Sequence, residues 1–544
     1  MKKVRLASFL ALILVACMLL SACGSGAAKP DTGAASTPAP TKAPAETVGT
    51  DITSGEQAEG AAGISDETFK LGLAGDPLML VPFQAGSNGS SAAELLYDTL
   101  LFYNSATKEY LPKLATSWET IDSCTMRYHL RDDVYAVDGS KLTANDVLFT
   151  FQKGLEDDYT HTVYSHFDVD NFVISDDYTI DIVTFEPYCL AMTILASCEF
   201  CIQSQSVAEA NGGEQAMYKN PINGTGPYKF VEWKAGERIV LERKDDYWGE
   251  KPYYKTIEMY VISDSSARTL ALQSGDVDAI LELPSAMASQ IEDDENCEVL
   301  SVPSENCLFV GMNNAKEIFQ NENVRKAIAH AINKEAVVQI YASGYGTTVD
   351  VLTPSAHTFN VDVGADYTVG YDLDLAKQLM AEAGYADGFT TTLLLPAAYQ
   401  KAAEVIQNNL EKIGVTLELD IREISTWVAG TIEGEYEMVM GVYFPGNPDQ
   451  LFFNLDNRVG TGAKNYCNFG TDEYHTLLDT VYQTADLTKS ADARAQLIKI
   501  FSDECPGVSV CSSNALFGVK NGLTGFYTTT KGSQLHLEFI RPAA

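Results

Sequence analysis

Apolar and polar side chains alternate over residues 415–421, the period of a strand with one buried face. Just upstream, Ala403, Ile406, Leu410 and Ile413 recur at helical spacing, and Gly414 suits the left-handed position past a helix end. Residues 389–395 read as a further strand, so the stretch predicts a strand–helix–strand unit. Earlier in the chain, Asp372 is placed to cap a helix whose Leu375, Leu379 and Ala383 share one face before Gly384. Asp264 predicts a similar cap for a helix ending at Gly275, with a short strand over 277–280. Residues 228–233 and 238–243 predict a hairpin turning at Ala235-Gly236. Strand and helix alternate without a fixed repeat, which predicts α/β lobes rather than a helical bundle or an all-β sandwich.

The N-terminus follows another pattern. Lys2, Lys3 and Arg5 precede an apolar run over residues 6–20, and small residues then lead to Cys23. That run is short for ~30 Å of hydrocarbon and has the length of a signal-peptide core. Leu20-Ser21-Ala22-Cys23-Gly24 resembles a bacterial lipobox, which implies removal of residues 1–22 and lipid on Cys23. Several acyl chains together anchor a protein stably. Residues 23–64 would then be the lipidated cysteine and a tether rich in Ala, Gly, Pro, Thr and Ser. Such a composition cannot bury enough apolar area to offset its ordering entropy, so the tether is expected to be disordered. From residue 65 onward aromatic and β-branched residues are frequent, and the remaining length is ample for more than one lobe.

The chain carries a net charge of −37. That excludes nucleic acid and an anionic membrane surface as natural partners, and leaves membrane contact to the lipid anchor. Of 11 cysteines, Cys17 and Cys23 fall in the processed segment, leaving an odd number. Cys297 with Cys307, and Cys505 with Cys511, are close enough in sequence to pair; the other reading makes the cysteines small buried apolar residues. His161 and His166 stand among Asp157, Asp158 and Asp168, and Cys198-x-x-Cys201 has ligand spacing. A solvated acidic loop and buried thiols account for both, so neither a metal site nor a cofactor is expected. The nucleophile-elbow, zincin, phosphate-loop and dinucleotide motifs are missing, and an enzyme is not expected.

The run Gly224-Thr225-Gly226-Pro227-Tyr228, then Trp233 to Glu237, then Asp246-Tyr247-Trp248-Gly249, resembles the signature of the extracellular solute-binding proteins of oligopeptide, dipeptide and nickel ABC importers. Leu96-Tyr97-Asp98-Thr99-Leu100, Leu111 to Ala115, Arg127 to Arg131 and Leu142 to Val147 resemble earlier family segments; Asn323 to Ile328 and Ala381 to Tyr385 resemble later ones. The matches run in order over nearly the whole mature chain. The resemblance implies an α/β, two-lobed periplasmic-binding-protein-like fold (type II, large peptide-binding class) with a subdomain inserted in the first lobe. Lobe I is expected over 65–304 plus 509–544, with the subdomain at about 107–221, and lobe II over 305–508. Two crossing strands would absorb the hinge rotation as a cleft closes on its ligand. The implied protein is a monomeric, extracytoplasmic receptor that captures a small solute, most often a peptide, for the permease subunits of an ABC importer. Nickel or another metal chelate, or a sugar, is the alternative cargo.

Site residues follow from the same resemblance. Residues 84–91 read as a polar, glycine-rich loop after the first strand, and the resemblance implies ligand contacts in that loop, which points to Gly86, Ser87 and Asn88. Peptide-binding relatives hold the ligand's α-amino group with an acidic residue in a W-x-x-D-Y-x-D-P-like stretch. Matching Asn447-Pro448 to its Asp-Pro puts Phe444 at that acidic position, beside Tyr443. A buried ammonium needs a counter-ion, which would then come from elsewhere, such as Asp449. A blocked peptide, a sugar or a metal chelate fits that departure. Tyr399 and Trp427 stand near strand and helix ends of the second lobe, where open α/β sheets bind ligands.

Overall fold

The first strand, Thr68–Leu73, is buried along most of its length and lies parallel to both of its neighbours, Thr256–Val261 and Ala279–Ile280. Buried parallel pairs of this kind need helices on their faces. In this computed structural model, the described residues are 64–82, 86–104, 107, 109–157, 160–188, 190–211, 224–357, 359–443, 456–458, 465–484, 486–527 and 535–543. All of them fall in one compact unit, Thr50–Ala544. Cys23, the tether, Asp158, Phe444, Asn447 and Asp449 lie outside the described residues.

Two large sheets organise the chain. The first has seven strands in the order Cys297–Val302, Ala515–Lys520, Ala279–Ile280, Thr68–Leu73, Thr256–Val261, Arg238–Arg243 and Tyr228–Lys234. The second has six, in the order Gly346–Thr348, Gly507–Ser513, Cys307–Met312, Met438–Tyr443, Phe389–Pro396 and Val415–Arg422. The strand–helix–strand unit read from periodicity is present: Phe389–Pro396 and Val415–Arg422 are parallel, joined through the helix Gln400–Glu411. Gly414, at φ 82°, turns the chain out of that helix, as a residue without Cβ can. Asp372 and Asp264 cap their helices, accepting from the amides of Leu375 and Ala267 at 2.9 and 2.8 Å. A small four-stranded sheet, Ala115–Thr120, Thr125–Leu130, Thr179–Val183 and Val173–Asp176, sits within the first lobe and has its own apolar core around Phe151, Tyr164 and Phe167.

The chain passes between the large sheets twice, from Val302 to Cys307 and from Ser513 to Ala515. Because Gly507–Ser513 pairs with Cys307–Met312, the second passage lies at Asn514, later than the expected 508/509 boundary. The passages are stitched together by side chains. Asn306 Nδ2 donates to Ser513 O and Asn306 Oδ1 accepts from Ser513 N, both at 3.0 Å. Ser512 Oγ donates to Ser304 O at 2.7 Å, and Asn514 Nδ2 to Ser301 Oγ at 2.8 Å.

One carboxylate joins the first lobe to its subdomain. Asp98 is fully buried. Its Oδ2 accepts from Thr225 Oγ1 at 3.0 Å and from Trp248 Nε1 at 3.1 Å. Its Oδ1 accepts from Tyr247 OH at 3.1 Å and lies 3.3 Å from Lys113 Nζ. Burial works against the Lys113 charge, and Asp98 outweighs it, holding the ammonium well above its ordinary pKa. Four of the sequence segments that carried the resemblance thus meet at one side chain. The glycines on either side of Thr225 have their own reason. A Cβ on Gly224 would stand 2.0 Å from Leu96 O, and one on Gly226 would stand 2.5 Å from Leu95 O.

A second buried group lies nearby. His536 Nδ1 stands 3.2 Å from Glu538 Oε1 and 3.5 Å from Glu94 Oε2. Burial opposes the charged imidazole, but Glu94 and Glu538 outweigh it and raise its pKa above the ordinary 6.5. Burial raises the Glu94 carboxyl, whereas for Glu538 the neighbouring His536 overcomes burial and lowers it.

Eight cysteines are described and all are free thiols, seven of them buried. Neither Cys297 with Cys307 nor Cys505 with Cys511 is paired. Burial pushes the Cys307 and Cys505 thiols up to about 12 and about 11, which keeps them protonated and unreactive. His161 and His166 do not converge: Nδ1 of the first lies 2.6 Å from Leu155 O, and the second stacks on Tyr188 at 4.4 Å. Among the described residues no group of three His, Cys, Asp or Glu side chains is arranged to hold a metal ion.

Asp98→Ala removes one partner of a buried ion pair and strands three donors. Urea denaturation is expected to show a loss of about 3 kcal/mol; a loss below about 1 kcal/mol would contradict the joining role. His536 has a raised folded pKa, so its contribution is complete below pH 6.5 and is lost as pH rises through the higher folded value. His536→Gln should therefore lower stability at pH 6, with the gap to the parent closing toward pH 9. A gap that stays constant would show that His536 acts by packing alone.

Candidate ligand cleft

The strand Met438–Tyr443 lies in the middle of the second sheet, and its last side chain, Tyr443, points into a nest of aromatic rings. Tyr443 stacks on Tyr466 with centroids 5.5 Å apart and packs against Phe309 at 5.0 Å. Trp427, on the helix Ile424–Glu433, meets Tyr466 edge-on at 6.1 Å. Its ring lies over Gly441, where an added Cβ would come within 3.0 Å of it. The strand alternation therefore directs Tyr443 to the sheet face that carries Trp427 and Tyr466.

Two donors in this nest have no hydrogen-bond partner among the described residues. Trp427 Nε1 and the Tyr443 hydroxyl are both buried and unpaired. A buried donor left unmade costs about 1–3 kcal/mol, so each is an oddity in a folded protein and a natural contact for an acceptor-bearing ligand. Burial holds the Tyr443 and Tyr466 hydroxyls well above their ordinary pKa, so both remain neutral donors at physiological pH. Tyr399 ends the strand Phe389–Pro396 in a single 3-10 turn and meets Tyr341 edge-on at 6.1 Å.

On the first lobe, residues 86–91 are helical. The helix Gly86–Leu96 begins where a glycine-rich loop was expected. The helix-forming run Ala92-Ala93-Glu94-Leu95-Leu96 and burial of the helix's polar face outweigh the poor propensity of Gly86-Ser87-Asn88-Gly89. Asn88 is buried with its Oδ1 unpaired among the described residues, and Ser91 Oγ accepts from the amide of Leu535 at 3.2 Å. Gly86 and Ser87 form the first turn of this helix.

Of the residues named from sequence, Trp427 and Tyr443 come together in one nest, Tyr399 stands on a neighbouring strand end, and Asn88 belongs to the other lobe. Tyr466 was not foreseen. Its only sequence signal is an aromatic set between polar residues in Lys464-Asn465-Tyr466-Cys467-Asn468, and its role depends on a fold that brings that stretch beside Gly311 and Gly441.

Comparison with known proteins agrees with this architecture. A family model described as "Bacterial extracellular solute-binding proteins, family 5 Middle" matches residues 109–465. The dipeptide-binding protein of Escherichia coli K12 is 27% identical over 516 residues, covering 88% of this chain and 95% of that protein. Heme-binding protein A of Haemophilus influenzae is 26% identical over 485 residues, covering 82% of this chain and 88% of that one. Among solved structures, HbpA2 from Haemophilus parasuis superposes with a TM-score of 0.78 at 25% identity, over 88% of this chain and all of that one (100%). With two sheets joined by two strand passages and a family match spanning most of the chain, the protein belongs to the bacterial extracellular solute-binding proteins of family 5.

Proposed function

We propose that this protein is the substrate-capture component of an ABC importer, enclosing a peptide between its lobes and delivering it to the permease subunits. The observation that carries this reading is the pair of unpaired buried donors, Trp427 Nε1 and Tyr443 OH, at the end of a central strand. A peptide offers carbonyl acceptors at short intervals and suits such donors without needing a charge. Relatives named for dipeptide, oligopeptide and glutathione binding support the same cargo class. They are binding proteins by name, which favours capture over catalysis. Phe444, Asn447 and Asp449, which follow Tyr443 in sequence, are proposed to complete the pocket, with Gly86, Ser87, Asn88 and Tyr399 bordering it. Phe444 in place of a carboxylate favours a ligand whose amino end is blocked or is neutralised elsewhere.

A second cargo is favoured by the aromatic nest and by the heme-binding relative: a planar ligand or a metal chelate held by stacking. We place the protein outside the cytoplasmic membrane, tethered through lipid on Cys23, and acting as a monomer. The tether would keep it near its permease at high effective concentration.

Tyr443→Phe separates a ligand role from a packing role. It removes an unpaired buried hydroxyl, so folding stability should hold or rise. Affinity for a ligand that accepts from that hydroxyl should fall by about tenfold, or about 1.4 kcal/mol. Titration calorimetry against di- and tripeptides, with and without N-terminal acetylation, and against hemin reads the outcome. Unchanged affinity for every binder found would remove Tyr443 from the pocket. For the anchor, Cys23→Ala should move the protein from the membrane to the soluble fraction; continued partition into detergent would rule out lipidation there.

A further inference from the structure

Phe359 and Leu190 belong to no lobe core. They pack on each other, with Tyr188 and Ile194 alongside, as a separate apolar cluster in which Phe359 is 7% exposed and Leu190 2%. Leu190 lies in the first lobe's subdomain, beside the helix Ala191–Leu195, and Phe359 lies in the second lobe, between Gly346–Thr348 and Leu373–Glu382. Part of their apolar surface is therefore hidden by the meeting of the lobes.

The second lobe holds Phe359 in place. Its amide donates to His357 Nδ1 at 3.1 Å, and the amide of Asn360 donates to His357 O at 2.9 Å. The Arg494 guanidinium sits 4.6 Å from the Phe359 ring, and Arg494 Nη1 donates to Ser490 Oγ at 3.0 Å. Leu487, Ser490 and Arg494 share one face of the helix Leu487–Glu504, on which Ser490 Oγ also donates to Val481 O at 3.3 Å. Leu487 borders a cavity of about 310 Å³ whose other walls are subdomain residues, among them Trp118, Met126, Ile182, Tyr188 and Met192. The contact between lobes is thus filled at Phe359 and left unfilled at Leu487.

We propose that Phe359 and Leu190 form a latch between the lobes that favours their closed arrangement at a point separate from the crossing strands, independently of the cargo. Opening would expose both side chains to water, so the latch shifts the equilibrium toward closure. The neighbouring cavity limits its strength, so it can release. A solute that binds the closed form gains apparent affinity in proportion to the closed fraction. The inference rests on the two-lobed fold and not on the identity of the ligand, so it stands or falls separately from the peptide reading.

The test is amide hydrogen exchange on the full chain without added solute, read across the lobe boundary. Phe359→Ala should speed exchange at the Ile194 and Ala196 amides of the subdomain by about tenfold. Leu190→Ala should speed the Asn360 amide of the second lobe by a similar factor, and the double variant should add little. Leu487→Trp, which places more apolar surface over the cavity, should slow exchange at the same amides. Small-angle scattering should show a larger radius of gyration for the two alanine variants and not for Leu487→Trp. If each alanine change affects only the amides of its own lobe, with the radius of gyration unchanged, the latch is overturned. If Phe359→Ala fails to fold, Leu190→Ala and Leu487→Trp still decide, because they alter opposite sides of the contact in opposite directions.

Discussion

The Asp98 carboxylate is the constraint on which the first lobe depends. A buried charge is tolerated only when its lone pairs are filled and a counter-ion is close. Here Thr225, Tyr247 and Trp248 fill them, and Lys113 supplies the charge. These partners come from widely separated parts of the chain, so satisfying one carboxylate fixes where the subdomain leaves and re-enters the lobe. The backbone around it is correspondingly tight, with Gly224 and Gly226 against the carbonyls of Leu96 and Leu95. The Arg131 guanidinium over Trp248, at 3.9 Å, extends the same junction into the small sheet.

That rigidity has its counterpart at the lobe boundary. Among the described residues two strand passages join the sheets, and amide and hydroxyl contacts cross-link them. Side-chain bonds between adjacent passages keep the passages in register, while the passages themselves can absorb a change in backbone angle. Close by, Tyr345 of the second lobe donates to Glu292 of the first at 2.5 Å and packs against the first lobe's apolar cluster around Ile280 and Ile291, so the hinge side carries polar and apolar contacts together. A further apolar contact between the lobes lies at Phe359 and Leu190. A tightly joined first lobe, cross-linked passages and a separate apolar contact at Phe359 suit movement of the lobes as whole bodies.

Local signals in the sequence carried the fold well. The caps at Asp264 and Asp372, the strand period at 415–421 and the turn at Gly414 each depend on a few neighbouring residues, so a linear reading finds them. The chain's departure at 86–91 shows the limit. Gly86-Ser87-Asn88-Gly89 has the propensity of a loop, and it is helical because burial of its polar face and the following Ala-Leu run outweigh that preference. The second strand passage at Asn514 was also beyond reach, since Gly507–Ser513 is assigned by its pairing with Cys307–Met312. The site was the least legible part. Trp427 and Tyr443 stand out as aromatics near element ends, but their unpaired donors and their shared neighbour Tyr466 exist only in three dimensions.

Unpaired donors and lobe closure act on recognition in different ways. On the proposed reading, Trp427 Nε1 and Tyr443 OH carry a standing penalty that an acceptor-bearing solute would relieve and an apolar one would not. Such donors would discriminate by chemistry, because a site built to hydrogen-bond rejects ligands that leave its donors bare more strongly than an apolar pocket rejects a shape. A contact such as that between Phe359 and Leu190 is blind to the cargo and changes every affinity by the same factor. Selectivity and overall tightness can then change separately, the first through the aromatic nest and the second through residues that touch no ligand. A family that serves peptides, glutathione and heme on one framework needs that separation, because the donors must differ from cargo to cargo while the closing motion stays the same.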